Sequence, residues 1–276
     1  MEPNEQRPLA VVTGASSGIG RELADRLAAR GYDLVLVARR EERLLQLAES
    51  LHVAHGAHCQ PVVSNLARTE ERERLCQRLE RERERLQVLV NNAGFGTHGY
   101  FHETDLDREL ELIAVNCGAP VHLTKRVLPW MLERRQGYIL NIGSVAGFTP
   151  GPVMAMYYAS KAFLLSFSEA LWEECRGTGV HVTIACPGPV RTEFQQVAGL
   201  AATARTSSGP PIPVGQVADE AIEGTFAGER VVIPGTRNQL AAFMARFAPR
   251  RRVLRTVHRI QDERRRQTLA AKAPGD

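Results

Sequence analysis

The sequence has few cysteines, and their spacing suggests neither a metal site nor a disulfide framework. Five cysteines are scattered over the 276 residues, with no C-x-x-C pair among them: Cys59, Cys76, Cys117, Cys175 and Cys186. An odd and widely spaced set argues against zinc-finger chemistry and against a small disulfide-stapled fold. We therefore expect no metal and a reducing, cytoplasmic location.

Long apolar runs are also lacking. Residues 1–8 are polar and contain no signal-peptide core, and no uninterrupted apolar stretch approaches the length of a transmembrane helix. The chain is 43% hydrophobic, 24% charged and only 6% aromatic. This composition excludes a disordered or collagen-like chain and is typical of a soluble globular protein.

The formal net charge of +4 is unevenly distributed. Residues 246–266 contain nine arginines and two acidic residues, a net charge of +7, so the remaining residues sum to −3. Apolar residues recur at helical spacing in the same region: Leu240, Phe243, Met244, Phe247, Val253, Leu254, Val257 and Ile260. We predict a basic amphipathic helical extension over 239–276. This extension either folds back onto the rest of the protein, over a substrate pocket or into a subunit interface, or makes peripheral membrane contact through 239–266.

Upstream of this extension, short apolar runs alternate with segments of helical periodicity. Strands are predicted at 9–13, 33–38, 59–63, 87–91, 138–143, 180–185 and 230–234, and helices at 18–30, 41–51, 69–85, 105–134, 155–175 and 215–227. Continuous apolar strands between helices predict an α/β, Rossmann-like, doubly wound three-layer fold with a seven-stranded parallel sheet. Residues 1–238 are predicted to form one domain, with a long loop or lid at about 193–215.

The first predicted strand runs through a glycine-rich turn into a helix. Gly14 allows a tight turn, Gly18 lets the backbone approach a pyrophosphate, and Gly20 permits close packing of helix on strand. The free N–H groups at the helix start favour phosphate oxygens. The turn therefore predicts a dinucleotide site that includes Gly14, Ser16, Ser17, Gly18, Ile19 and Gly20.

The glycine spacing combines with other motifs in a recognisable order. These are Asn91-Asn92-Ala93-Gly94, Asn116, Ser144 and Tyr157-x-x-x-Lys161. Together they resemble the short-chain dehydrogenase/reductase family over about residues 8–235. The resemblance implies hydride transfer between a nicotinamide cofactor and a carbonyl or alcohol carbon.

The second strand is followed by arginines where NAD-selective folds carry an acidic residue. Arg39 and Arg40 come directly after Ala38, and no acidic residue appears before Glu41. An arginine here can pair with a 2′-phosphate, and the resemblance implies NADP(H). We assign Arg39 to that phosphate, with Arg40 and Ser16 as helpers. The alternative is that both arginines are surface charges preceding a helix.

Further cofactor contacts are implied by the resemblance alone. Asn65 stands where family members often carry an aspartate that contacts the adenine, and its amide oxygen can accept from an exocyclic amine. Val190 and Thr192 match the element that holds the nicotinamide carboxamide. The full implied set also contains Leu66, Asn92, Ala93, Gly94, Tyr157, Lys161, Pro187 and Gly188.

Tyr157 and Lys161 share one face of a predicted helix because they lie four residues apart. A neighbouring ammonium favours the phenolate, so we expect the lysine to lower the tyrosine pKa from its ordinary value near 10. The resemblance implies that Tyr157 is the general acid/base, that Ser144 polarises the substrate carbonyl, and that Asn116 positions a water that leads to Lys161. Tyr158 lies off that face and is interpreted as packing or pocket wall.

The pocket walls are expected to come from 95–101, 145–156 and 193–215, with Phe95, Phe148, Met154 and Met156 among them. This favours an apolar acyl, steroid-like or aromatic ketone. By resemblance, residues 105–134 and 155–175 imply a homodimer or homotetramer. The alternatives are a catalytically silent NADP(H)-sensing scaffold and a membrane-associated lipid reductase. No nucleic-acid role is expected, because 248–276 lacks interleaved aromatics.

Overall fold

A computed structural model describes residues 7–200 and 211–272. Within these residues, seven strands form one parallel sheet in the order β3-β2-β1-β4-β5-β6-β7. Their bounds are β1 Leu9–Thr13, β2 Asp33–Ala38, β3 Cys59–Val63, β4 Leu86–Asn91, β5 Gly137–Ile142, β6 Val180–Ala185 and β7 Val231–Val232. The predicted seven-stranded parallel sheet is confirmed.

Helices follow the strands and cover both faces of the sheet. They are α1 Gly18–Ala29, α2 Glu41–His55, α3 Thr69–Glu80, α4 Leu106–Ile113, α5 Ala119–Arg134, α6 Ala155–Glu174, α7 Phe194–Val197, α8 Val214–Phe226, α9 Thr236–Phe247 and α10 Arg250–Lys272. In the described part of the chain, no helix is both long enough and apolar enough to cross a bilayer.

The core consists of two apolar layers, one on each side of the sheet. Successive strand residues point to opposite faces, so Val12 of β1 clusters with Leu27 of α1 and Ile222 of α8. Its neighbour Val11 clusters with Leu123 and other residues on the opposite face. The strands are apolar throughout because both of their faces are covered.

The strand order changes direction beside β1, whose neighbours are β2 on one side and β4 on the other. In open parallel sheets, ligands bind outside the carboxyl ends of the strands at such a reversal. The glycine turn after β1 and the Asn-Asn-Ala-Gly segment after β4 therefore face the same crevice.

The predicted helix over 105–134 is interrupted. A π-helical turn, Ala114–Gly118, separates α4 from α5. Pro120 lacks the N–H that an α-helix would offer to the carbonyl of Asn116, so the regular pattern is locally broken. Hydrophobic periodicity does not reveal a one-residue shift of this kind.

The predicted helix over 69–85 also ends early, at Glu80. Turn-type hydrogen bonds follow, from Arg83 N to Glu80 O at 3.3 Å and from Arg85 N to Glu82 O at 3.1 Å. A charged, solvated turn and a charged helix have similar composition, so the sequence did not distinguish them.

Candidate active site

A cavity of about 430 Å³ opens at the carboxyl edge of the sheet. Most of the residues predicted to contact the cofactor line it: Gly14, Ser16, Ser17, Gly18, Ile19, Arg39, Arg40, Asn65, Leu66, Asn92, Ala93, Gly94, Tyr157, Lys161, Pro187, Gly188, Val190 and Thr192. Ser144 lines it as well. Gly20 and Asn116 do not belong to this lining and lie behind it.

The glycine turn is closely packed against β4. A Cβ atom at Gly20 would lie 2.3 Å from Asn92 Nδ2 and 2.4 Å from Gly14 O, so only glycine fits. Gly18 adopts φ +55°, a left-handed conformation that L side chains avoid. The turn therefore keeps its backbone N–H groups and the start of α1 open to the cavity.

Thr13 fixes this turn, and sequence reasoning did not single it out. Its hydroxyl donates to Val90 O at 3.0 Å and accepts from the backbone N–H groups of Asn92 at 2.9 Å and Ala93 at 3.0 Å. Asn92 Nδ2 in turn donates to Thr13 O at 2.8 Å. The available sequence signal was a threonine at the end of an otherwise apolar predicted strand.

The two arginines after β2 have different environments. Arg40 donates to the hydroxyls of Ser16 at 3.0 Å and Ser17 at 2.9 Å, and it pairs with Glu193 at 2.6 Å. Arg39 is exposed and lies 3.5 Å from Glu111. Arg40 is therefore the arginine that contacts the glycine turn, although we assigned the leading role to Arg39 from the sequence.

Glu193 is a second residue that the sequence did not indicate. Its carboxylate pairs with Arg40 and Arg43. Hydrogen bonds from these two guanidinium groups hold its pKa at about 2. The negative charge therefore lies beside the arginines that were predicted to hold a phosphate.

Asn65 and Val190, two residues predicted to contact the cofactor, use polar atoms for hydrogen bonds within the protein. Asn65 Oδ1 accepts from Ala67 N at 3.1 Å, and Val190 O accepts from Gln195 Nε2 at 2.7 Å. Both residues still line the cavity. Their predicted contacts with adenine and carboxamide remain predictions.

Tyr157 lies in the first turn of α6, next to Ser144, which comes two residues after the end of β5. Burial raises the pKa of Tyr157 to about 12, and a hydrogen bond with Ser144 opposes this rise. Our prediction that the pKa of Tyr157 is lowered is therefore wrong. Loss of hydration around the phenol outweighs the hydrogen bond with Ser144.

Lys161 is directed along α6 toward the strand end. Its Nζ donates to Ile142 O at 2.7 Å and lies 5.9 Å from the centre of the Tyr157 ring. Burial lowers the lysine pKa to about 8. The same desolvation thus disfavours the charged form of both groups, the phenolate and the ammonium.

Asn116 occupies the π-helical turn and is 1% exposed. Its amide accepts from Phe95 N at 3.1 Å and donates to Phe95 O at 2.9 Å and to Ser160 Oγ at 3.0 Å. The side chain thereby ties Phe95, which directly follows the Asn-Asn-Ala-Gly segment, to α6. Its predicted role in a water relay stays a prediction.

Part of the cavity wall is apolar, but two expected wall residues lie elsewhere. Phe95, Val145, Met154, Phe194, Val197 and Leu200 line it. Phe148 packs instead near Ile184, and Met156 packs near Leu112. Of the expected lid, α7 and its neighbours border the cavity, whereas residues 201–210 lie outside the described part of the chain.

Helix α10 folds back over the cavity and contributes residues that the motifs could not indicate. Gln261 Nε2 donates to Tyr158 Oη at 2.8 Å, and Gln261 and Arg264 line the cavity. Tyr158 is therefore a pocket wall, one of the two roles predicted for it. Burial lowers the pKa of Arg264. A partly desolvated cation therefore lies on the side of the cavity that α10 forms.

Solved structures resemble most of the chain. A short-chain dehydrogenase from Sphingobium yanoikuyae in complex with NADPH is 34% identical, with a TM-score of 0.80 over 97% of this chain and 96% of that one. A bulky-bulky ketone specific alcohol dehydrogenase from Comamonas testosteroni is 31% identical, with a TM-score of 0.75 over 87% and 92% of the two chains.

Curated relatives match a shorter segment. A very-long-chain 3-oxoacyl-CoA reductase from Anas platyrhynchos is 38% identical over 194 residues, which covers 68% of this chain and 61% of that protein. Sulfoacetaldehyde reductase 2 from Chromohalobacter salexigens is 38% identical over 191 residues, 68% and 75% of the two chains. The family model for short chain dehydrogenases matches residues 8–201. Sequence motifs, sheet order and these matches agree, and the chain belongs to the short-chain dehydrogenase family of oxidoreductases.

Proposed function

We propose that the chain is an NADP(H)-dependent oxidoreductase that interconverts a ketone and a secondary alcohol. The observation that carries this proposal is the meeting of Tyr157, Ser144 and Lys161 in one cavity with the glycine turn. The residues present fit a dinucleotide, because the Gly20 backbone leaves no room for a side chain and the start of α1 stays open to the cavity. When bound, the nicotinamide supplies the hydride chemistry.

In the direction of reduction, Tyr157 Oη donates a proton to the substrate oxygen. Its raised pKa keeps the phenol protonated at neutral pH, which suits a general acid. The Ser144 hydroxyl orients the same oxygen. The ammonium of Lys161 is directed at the strand end by its hydrogen bond to Ile142 O. From there it would hold the ribose hydroxyls of a bound cofactor, and its charge would favour the phenolate that the proton transfer leaves behind.

The preference for NADP(H) rests on the positive charge beside the glycine turn. Arg40, bonded to Ser16 and Ser17, is the best-placed partner for a 2′-phosphate, and the exposed Arg39 supplements it. Replacing each arginine by Asp in separate variants should raise the Kd for NADPH more than that for NADH. Unchanged selectivity in both variants would contradict this assignment.

The substrate is proposed to have an apolar body and a polar group at its far end. Met154, Phe194 and Leu200 favour an apolar body, while Gln261 and Arg264 offer donors at the side formed by α10. A panel of aliphatic, aromatic and steroid-like ketones, with and without a carboxylate, tests this through NADPH absorbance. Arg264→Leu should raise KM for the carboxylates selectively.

The catalytic assignment has its own test. Tyr157→Phe should abolish turnover and leave NADPH binding within a fewfold of the parent protein. Tyr138→Phe, which removes a tyrosine hydroxyl from β5, is the matched control. Substantial reductase activity in Tyr157→Phe would overturn the assignment.

We also infer a homodimer or homotetramer formed through α4, α5 and α6. Exposed apolar side chains on these helices support the inference: Leu106, Leu110, Val121, Leu132 and Phe163. Light scattering of the protein and of Leu110→Ser tests it, and a monomeric parent protein would contradict it.

A further inference from the structure

Helix α9 presents an apolar face outward. Its large apolar side chains are more than half exposed: Leu240 at 62%, Phe243 at 57%, Met244 at 56% and Phe247 at 72%. Their spacing of three and four residues puts them on one side of the helix. The rings of Phe243 and Phe247 lie 5.0 Å apart, so the stripe is continuous.

The opposite face of α9 is held to the body of the protein. Asn238 and Ala242 are buried there, and Asn238 Nδ2 donates to Pro234 O at 2.8 Å. A Cβ atom at Gly188 would lie 2.4 Å from the Asn238 amide, which shows how closely the two segments pack. Ordinary surface helices bury their apolar face, whereas contiguous exposed apolar patches mark interaction surfaces.

The charge around this stripe has one sign. Residues 236–261 contain seven arginines and no acidic residue. The side chains of five of them are exposed at the start of α10: Arg250, Arg251, Arg252, Arg255 and Arg259. The first acidic residue that follows, Asp262, already accepts from Tyr100 and pairs with Arg266.

An occupant of this surface must therefore be both apolar and anionic. A second copy docked face to face would bring two arginine clusters together, which electrostatics disfavours. A bilayer that contains anionic lipid provides an acyl region for the apolar stripe and negative headgroups for the arginines. We propose that α9 and the first turns of α10 form a docking surface for an anionic lipid bilayer.

The docking surface is continuous with the rim of the cavity. α10 runs without a break from Arg250 to Gln261, and Gln261 contacts Tyr158 at the cavity. Docking would thus bring the mouth of the cavity close to the lipid, which suits a membrane-dissolved ketone. This last consequence rests on the proposed function, whereas the docking itself does not depend on turnover.

Vesicle flotation of the full chain tests the proposal. The chain should float with vesicles of phosphatidylcholine and phosphatidylglycerol and not with phosphatidylcholine alone, and added salt should weaken its binding. Phe243→Ser with Phe247→Ser should weaken binding about tenfold or more, because both exposed rings are lost. Arg250→Gln with Arg251→Gln should also weaken binding.

Matched controls remove the same groups elsewhere. Leu45→Ser with Val53→Ser removes two exposed apolar side chains from α2, and Arg74→Gln with Arg81→Gln removes two exposed positive charges near α3. Both pairs should bind vesicles like the parent protein, and circular dichroism should show every variant folded.

Results of two kinds would overturn the proposal, one in vesicle binding and one in oligomeric state. The first is that the parent protein fails to bind the anionic vesicles, or that Phe243→Ser with Phe247→Ser binds them equally well. The second is that this double variant changes the oligomeric state in light scattering, which would make the stripe an interface between copies. Since flotation needs no catalysis, a failed reductase assay would count against the proposed function alone.

Discussion

Arg40 Nη1 lies 2.6 Å from Glu193 Oε2, and this ion pair joins segments that are 153 residues apart. The same guanidinium group donates hydrogen bonds to the hydroxyls of Ser16 and Ser17 in the glycine turn. A carboxylate of the protein thus interacts with the arginine that we propose for a 2′-phosphate.

The first prediction concerns this carboxylate. Glu193→Gln should tighten NADPH binding by up to about fivefold and leave NADH binding nearly unchanged, because an exposed ion pair of about 1 kcal/mol or less no longer competes for Arg40. Calorimetric titration with both nucleotides measures the effect. Glu41→Gln, which removes an exposed carboxylate at the start of α2, controls for net charge. An equal change for both nucleotides would contradict the competition.

The second prediction concerns the buried Lys161. Its pKa is about 8 in the folded protein and 10.5 ordinarily, so between these pH values the unfolded chain holds more protons. The contribution of Lys161 to the free energy of unfolding therefore rises with pH between about 8 and 10.5. From pH 7 to 9.5 the parent protein should gain about 2 kcal/mol in unfolding free energy relative to Lys161→Met.

Urea unfolding without added nucleotide, at several pH values, measures this difference. The comparison with Lys161→Met is needed because the raised pKa of Tyr157 acts in the opposite direction at high pH, where the unfolded chain loses its tyrosine proton first, and this contribution is common to both proteins. Identical pH profiles for the two proteins would show that Lys161 does not have a depressed pKa.

The third prediction concerns a buried hydrogen-bond chain across β4, β5 and α6. Asn91 Nδ2 donates to Asn141 Oδ1 at 2.8 Å, and Asn141 Nδ2 donates to Ser168 Oγ at 2.8 Å. Asn141→Ala should cost about 2–4 kcal/mol of unfolding free energy, because it leaves a cavity and removes partners on both sides. Ser168→Ala, which removes only the last partner of this hydrogen-bond series, should reduce the free energy of unfolding by less. If both variants lose the same small amount of unfolding free energy, Asn141 is not the central stabilising residue of the series.

The fourth prediction concerns the attachment of α10. Arg265 binds Glu103 through both carboxylate oxygens, at 2.6 and 2.9 Å, and lies over the ring of Tyr100. Arg265→Ala should speed amide hydrogen exchange in the second half of α10, because this anchor to the 95–105 loop is lost. Mass spectrometry locates the exchange.

The neighbouring arginine provides the control for this experiment. Arg266 is 73% exposed and pairs only within its own helix, with Asp262 at 2.8 Å, among the interactions of the described residues. Arg266→Ala should leave the exchange nearly unchanged. The same acceleration in both variants would show that the Glu103 contact does not anchor the helix.

The sequence determined the features that depend on local pattern. Apolar runs bounded by turns located the strands, and the alternation with helices predicted the parallel sheet. The glycine turn and the four-residue spacing of Tyr157 and Lys161 located the candidate site, because both signals are contained in one short segment. The interruption of the long helix at Ala114–Gly118 was missed because periodicity averages over several turns.

Only the tertiary structure decided which distant groups meet. The contact of Gln261 with Tyr158 joins residues 103 positions apart, and the pairing of Glu193 with Arg40 has no local signal. Burial likewise reversed the expected direction of the Tyr157 pKa, because desolvation depends on everything packed around the phenol. Spacing along the chain fixes which side chains share a helix face, whereas hydration and long-range partners exist only once the chain has folded.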